Sequence, residues 1–475
     1  MNVSSRLNPP LMAGRDFPEI QGKVRLVLHN CKNHTDDFVY ESHNTATNAL
    51  ADIFAANYGG LVNYNNFADL YKTWLGGVLV FKNALDPTAV NDYGIPDRIT
   101  NPITAHAGQT PLTSQADDTT RGNPDDAGTV ITANTTKLVW EWGTSAGNGQ
   151  ISAVGLTHTD VGSYGAGVVS TAQASLNPFA DVGAISRNLT YGDNANAPLA
   201  INGNTAYGFY MVDATTVDVF ASPINSNKFN LQGGALLPIT NYSTKTTATV
   251  QSCSFTQHGE CYYHFDFTAG TLTIWRVPTE GGTTLLQDVI KLSDGTVTST
   301  SITVTGAKLW KFRRNNDYMI VPVPAIVFNG FLYVYGYTTE YRWANKLYGI
   351  ELSTPANIVE VDTSDFYEFY YPSDFYSGLQ LQTRRITTSG GLIVHNNFLI
   401  NGNKTFKLYQ SYLNRDEASA YGNYGSISSP VFGIKASQNT VSICKLFLGT
   451  KFNLDTPVTK SSAQSMTISY ELTQS

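Results

Sequence analysis

Residues 138–165 read LVWEWGTSAGNGQISAVGLTHTDVGSYG. Leu138, Trp140 and Trp142 alternate with Val139, Glu141 and Gly143, the period of two that a strand imposes on its side chains. Asn148-Gly149 follows, the strongest short hairpin signal a sequence carries. Beyond it Ile151, Ala153 and Gly155 share one face and Ser152, Val154 and Leu156 the other. The pattern predicts two strands paired as a hairpin. Two indoles on one face need a thick core to cover them, so the pair is expected at the centre of a sheet.

Working outward, residues 1–20 hold Asn8-Pro9-Pro10 and Phe17-Pro18 without periodicity and read as an extended arm. KVRLVLHN alternates Val24, Leu26 and Leu28 with Arg25, Val27 and His29, a strand. FVYESHN is a second strand after the turn-like residues 32–37. In TATNALADIFAAN, residues 45–57, Ala49, Leu50, Ile53 and Phe54 form an apolar stripe. Thr45 or Thr47 can cap this helix, and Tyr58-Gly59-Gly60 ends it. A further helical turn fits residues 65–74, and the strand GGVLVFK comes next. Residues 84–136 are polar and rich in Pro, Asp, Thr, Asn and Gly, and read as a long loop serving interaction. At the other end of the chain, Met466, Ile468, Tyr470 and Leu472 alternate as a last strand.

The middle carries repeated strand pairs: GFYMVDATTVDVFAS, YYHFDFTAGTLTIWRVP, AIVFNGFLYVYG with KLYGIELS, GLIVHNNFLINGNKTFKLYQ and VFGIKASQNTVSICKLFLG. Phe209, Phe265, Phe328 and Val394 open comparable hairpins, a spacing close to that of propeller blades. A four- or five-bladed β-propeller is expected here, against the alternative of an irregular β-sandwich. The expected class is therefore mainly β: an α+β, β-sandwich-like N-terminal module with one main helix, and a β-propeller-like middle domain. The boundaries read as arm 1–20, module 21–170, linker 171–203, propeller-like domain 204–445, and 446–475 carrying a strand that returns to the module's sheet. An insertion of this kind is tolerated where the two junctions lie close together.

The 475 residues suffice for two or three cores. Charged residues are 14% of the chain, against about 25% on average, and Gly, Asn, Thr, Ser and Tyr take their place. A net charge of -7 gives no electrostatic case for a nucleic-acid partner. No apolar run reaches the ~18 residues of a membrane span. MNVSSRLNPPLMAG lacks the basic and apolar regions of a signal peptide, so synthesis in a cytoplasm is the expectation. Four cysteines, Cys31, Cys253, Cys261 and Cys444, make no disulfide framework in a chain this long. Cys253, His258, Cys261 and His264 suggest zinc. Strand alternation, however, puts Cys261 and His264 on opposite faces, and buried thiols are the expectation, with no metal and no cofactor.

No phosphate-binding loop or H-E-x-x-H stands in the chain, and no catalytic residue is assigned. His158 reads as a hydrogen-bonding group at a strand end. Two clusters are candidate binding surfaces. VDTSDFYEFYYPSDFYSG mixes Asp362, Asp365, Glu368 and Asp374 with Phe366, Tyr367, Phe369, Tyr370, Tyr371, Phe375 and Tyr376. Rings stack on the apolar face of a sugar and carboxylates accept from its hydroxyls, so Asp365, Tyr367, Tyr370 and Tyr371 are named as glycan contacts. The structural alternative is a connection whose rings fill gaps between blades. Tyr341, Arg342 and Trp343, near the tip of the third hairpin, have the composition of an interface hot spot, or Trp343 folds back on its own blade.

The W-E-W-G-T-S-x-x-N-G-x-I-x-x-V-x-L-T-H pattern of residues 140–158 resembles one in structural proteins of tailed bacteriophages, notably tail fibres and baseplate or receptor-binding appendages. Three further stretches are similar to ones those proteins carry: His43 to Leu50, an N-x-x-T-N-A-L run; Gly76 to Phe81, a G-G-x-L-L-F strand; and Pro457-Val458-Thr459-Lys460 through Met466, Tyr470 and Thr473. The resemblance covers roughly residues 20–170 and the last twenty or so. It implies a virion protein made in the host bacterial cytoplasm. The module would dock to other virion proteins of tail, baseplate or collar, in several copies or as a homo-oligomer, and the middle would meet a host-surface glycan or receptor. A head fibre, collar or capsid decoration protein is the alternative. A glycan depolymerase is a third, which would need paired carboxylates about 5 or 9 Å apart.

Overall fold

The structure, a computed structural model, describes residues 20–58, 67–90, 93–96, 101–109, 119–159, 161, 179–184, 190–191, 194–195, 200–202, 205–223, 244–253, 261–279, 281–309, 323–328, 330–336, 346–361, 386–389, 392–395, 398–401, 404–407, 424–427, 432–435, 440–445 and 447–474. In chain order the first part forms β1 (Ile20–Asn30), β2 (Thr35–His43), β3 (Thr45–Ala46), α1 (Asn48–Tyr58) and α2 (Phe67–Leu75). Then come β4 (Gly77–Phe81), β5 (Ile103–Ala107), β6 (Asn123–Pro124), β7 (Val130–Ile131), β8 (Thr135–Trp142) and β9 (Gly149–Thr157).

Two antiparallel sheets share one core. In the first, β2, β1, the final strand (Gln464–Gln474) and β8 lie side by side, with β6 and β7 on the outer edge of β8. The second runs β3, the penultimate strand (Thr450–Lys460), β9, β4, β5. Val24, Leu26 and Leu28 of β1 face inward, as do Trp140 and Trp142 of β8 and Met466, Ile468, Tyr470 and Leu472 of the final strand. Val78, Val80, Ile151, Val154, Leu156 and Phe452 meet them from the second sheet. Each fully buried indole removes some 200 Å² from water, about 5 kcal/mol of transfer free energy before entropy is charged against it. Ala49, Leu50 and Ile53 of α1 and Tyr71, Trp74 and Leu75 of α2 close the same core, at the i, i+3, i+4 spacing of an amphipathic helix. Thr47 stands at the start of α1: its carbonyl accepts from Ala51 N–H, while its hydroxyl donates to the Leu448 carbonyl.

The expected hairpin about Asn148-Gly149 is not formed. β8 belongs to the first sheet and β9 to the second, and residues 143–148 cross between them as an arch. Both strands already have two neighbours. β8 pairs with the final strand and with β6 and β7, and β9 pairs with the penultimate strand and β4. Folding β9 back on β8 would take Trp140 and Trp142 away from the facing sheet that buries them.

The loop expected over residues 84–136 is also corrected. β5 pairs with β4, and β6 and β7 pair with β8. Tyr93 and Ile95 are buried. The Asn453 side chain stands in for a strand partner of Leu85, accepting from its N–H at 2.9 Å and donating to its carbonyl. Lys451 Nζ donates to the Ala89 carbonyl at 3.1 Å. Small residues such as Ala105 and Ala107 give β5 little hydrophobic period, so only pairing reveals it.

The rest is a set of separate sheets, none closed, and the protein is mainly β. An eight-stranded sheet runs Phe179–Ala184, Thr440–Cys444, Phe432–Lys435, Tyr424–Ile427, Ala200–Asn202, Thr205–Met211, Thr216–Pro223, Thr244–Thr249. Its first and fifth strands fall in the stretch read as linker 171–203. A five-stranded sheet runs Val297–Thr303, Thr284–Lys291, Thr271–Arg276, Tyr262–Asp266, Val323–Pro324. Two four-stranded meanders follow, over 326–361 and 386–407. Alternation along Tyr262–Asp266 serves two cores: Tyr263 and Phe265 pack with Phe209, Val219 and Ile274, while Tyr262 packs with Trp275, Leu332 and Leu347. Of the expected arm 1–20, residues 1–19 lie outside the described residues and Ile20 opens β1.

Candidate functional site

The expected contacts Tyr341, Arg342, Trp343, Asp365, Tyr367, Tyr370 and Tyr371 all lie outside the described residues, as do Glu368 and Asp374. Among the described residues no group of three His, Cys, Asp or Glu could hold a metal ion. Cys261 is buried beside Tyr263 and Phe265, with His264 one residue out of phase and half-buried. Burial lowers the His264 pKa, partly opposed by Asp266. His158 is buried with its ring 5.6 Å from that of Trp74.

Three polar arrangements remain, each set by strand alternation. The outward face of the first sheet carries charges opposite one another across strands. Lys23 lies across from His43 on β2 and from Glu471 on the final strand, and Arg25 across from Glu41. Glu41 bonds Lys23 Nζ at 2.9 Å and Arg25 Nε at 3.0 Å, and the Lys23 bond leads in lowering its pKa. Solvent screens these exposed pairs, so they contribute little to stability. They set cross-strand preference more than stability, and offer a partner a mixed, hydroxyl-rich face with Thr467 and Ser469.

The second arrangement is buried. Arg276 Nη2 donates to Asp288 Oδ2 at 3.0 Å, with both side chains almost wholly covered. Arg276 also donates to the carbonyls of Ala214, at 3.0 Å, and Gln251. Asp288 Oδ1 accepts from Gln251 N–H at 3.1 Å and from Ser299 Oγ at 2.7 Å. Gln251 Nε2 reaches the Gln287 and Thr300 carbonyls. Both terminal nitrogens of Arg276 and the Gln251 amide meet protein acceptors, while Arg276 Nε is buried without one among the described residues, and the cluster acts as a clamp between the eight- and five-stranded sheets.

The third lies at the arch. Lys460, 1% exposed, donates from Nζ to the Gly143 carbonyl at 2.9 Å and to Asn148 Oδ1 at 2.8 Å. Burial pushes its pKa down to about 8, opposed by Cys31. No carboxylate pairs with it among the described residues. Arg276, Asp288 and Lys460 were not singled out from the sequence. The available signal was phase: Asp288 falls in step with inward-facing Ile290, and an acid on a buried face needs a partner.

No family model matches the chain, and no curated protein does. Among solved structures, it is similar to a computationally designed protein, Ika8, at TM-score 0.22 and 9% identity over 67% of this chain and 95% of that one. It is similar to the AtxE2 isopeptidase at 0.19 and 10%, over 60% of this chain and 39% of that one. Apo AztD from Citrobacter koseri gives 0.15 and 9%, over 92% and 99%. Likenesses at these scores bear on neither fold nor function.

Proposed function

We propose that this chain is a structural protein of a tailed-bacteriophage virion: a tail appendage that docks through its two-sheet module and presents its middle region to a host-surface glycan or receptor. One observation carries the reading. The four stretches that resemble phage proteins are spread from residue 43 to residue 473, yet they meet in a single core. Ala49 and Leu50, Val78 and Val80, Trp140 and Trp142, and Met466, Ile468 and Tyr470 are its contributions from each. Residues alike in sequence and assembled as one unit are what a shared attachment module requires.

The middle region, in this reading, is a five-bladed β-propeller. Four-strand antiparallel meanders recur at 200–249, 262–303, 326–361 and 386–407. A fifth arises when Phe179–Ala184 adds to the three strands of 424–444. An early strand completing the last blade ties the start of the region to its end, as a ring needs. Ala200–Asn202 of the first meander pairs in parallel with Tyr424–Ile427 of the last, and Val323–Pro324, just before the third meander, pairs in parallel with Tyr262–Asp266 of the second. Several copies on one particle would sum weak contacts through effective concentration.

The test is mass spectrometry of purified particles, followed by binding of the purified full chain to host cells in competition with intact phage. Presence in particles with saturable, infection-blocking binding supports the whole reading. Absence from particles overturns it. Presence without binding or competition removes the host-facing role and leaves a head, collar or tail architectural part.

A further inference from the structure

Asn148-Gly149 is free of the tight turn its sequence suggests, and its surroundings are chemically unusual. The Asn148 carboxamide is held at both ends. Its Oδ1 accepts from the Lys460 ammonium at 2.8 Å, and its Nδ2 donates to the Thr144 carbonyl at 2.9 Å. The residue is exposed, so water reaches it, while the lysine it touches is buried. Gly149 has φ 138°, and it carries no Cβ to shield its nitrogen. Among the described residues, Cys31, from the tip between β1 and β2, is the titratable group that acts on Lys460.

We infer that Asn148 is a site of spontaneous covalent modification, its carboxamide becoming a carboxylate that pairs with Lys460. The ammonium at Oδ1 draws electron density from Cγ and makes that carbon the better electrophile. The Gly149 nitrogen attacks Cγ, the C–N bond to the amide nitrogen breaks, and ammonia departs with the proton the glycine nitrogen gives up. A cyclic imide results. Water then opens it at either carbonyl, leaving aspartate or isoaspartate. In sum, amide and water become carboxylate and ammonium, with no oxidant or cofactor. The product sets a negative charge beside a buried cation that has only neutral oxygens as partners, at the loop joining the two sheets. A buried charge gains most from such a partner. The modification would therefore tighten the arch after folding.

The experiment incubates the full chain at mildly alkaline pH and follows residue 148 by peptide mapping, with ammonia release alongside. Asn202-Gly203, Asn329-Gly330 and Asn401-Gly402 are references of the same dipeptide chemistry. The expected result is conversion at Asn148 that Lys460→Met slows several-fold while the references keep their rates. No conversion, or an unchanged rate in Lys460→Met, overturns the inference. So does a stable loss of ammonia with residues 148 and 460 recovered in one cross-linked fragment. Because Lys460→Met can disturb folding, Asn148→Asp provides the second measurement. It is expected to unfold at higher temperature than the unmodified chain at neutral pH, and no gain would overturn the pairing.

Discussion

Lys460 carries a charge into the core with a carbonyl and a carboxamide as its hydrogen-bond acceptors, and this has a pH signature. Its pKa falls from 10.5 to about 8 on folding, so between those values the unfolded chain holds more protons and stability rises with pH. The contribution is complete above the unfolded value and lost as pH falls toward 8, with an upper bound of about 3 kcal/mol. Buried Tyr71 and Tyr470 act oppositely above pH ~10, because burial raises their pKa values. The difference in urea midpoint between wild type and Lys460→Met, measured from pH 7 to 9.5, isolates the lysine. A wild-type curve that gains nothing on the variant over that range would contradict the assignment. The two core indoles make a second contrast. Trp142 Nε1 donates to the Thr120 carbonyl at 3.1 Å, whereas Trp140 Nε1 has no partner among the described residues. Trp142→Phe is expected to cost about 1 kcal/mol more than Trp140→Phe in chemical denaturation, the worth of one hydrogen bond.

At the scale of elements, the final strand is the keystone of the first sheet, since it pairs with β1 on one side and β8 on the other. Ser469 sits mid-strand with its side chain outward, opposite Arg25 and Val139. Ser469→Pro removes a ladder donor from a central strand and should cost about 3 kcal/mol or more. Thermal unfolding would check this, and a near-neutral result would mean the strand does not hold that place. The clamp between the eight- and five-stranded sheets is the matching feature of the middle region. Arg276→Met leaves Asp288 charged and buried and strips a donor from the Ala214 and Gln251 carbonyls. A loss of about 3–5 kcal/mol is expected by equilibrium unfolding.

For the whole molecule, the consequence is non-local folding. β1 and the final strand are at opposite ends of the described chain, so their pairing must await closure of a very long loop. A chain truncated after Cys444 loses both terminal strands and exposes Trp140 and Trp142 along unpaired edges. It is expected to give a red-shifted tryptophan emission and to aggregate. Native-like emission from the truncated chain would show that the module closes without its last strands.

Some of this was legible from residues alone. Alternation in Val24-Leu26-Leu28, in Leu138-Trp140-Trp142 and in Met466-Ile468-Tyr470-Leu472 marks inward faces that the structure buries, because a strand's period of two is a local property. The Ala49, Leu50 and Ile53 stripe did the same for α1. Pairing was not local. Asn148-Gly149 suggested a hairpin, but each flanking strand gained more from neighbours hundreds of residues away than from the other. β5, with alanines where a strand would show branched residues, left no pattern until β4 lay beside it. The buried charges were decided last of all: whether Asp288 or Lys460 has a partner depends on which backbone oxygens and side chains the fold brings within reach, and a hydrogen bond is made over a few ångströms of space and not along the chain.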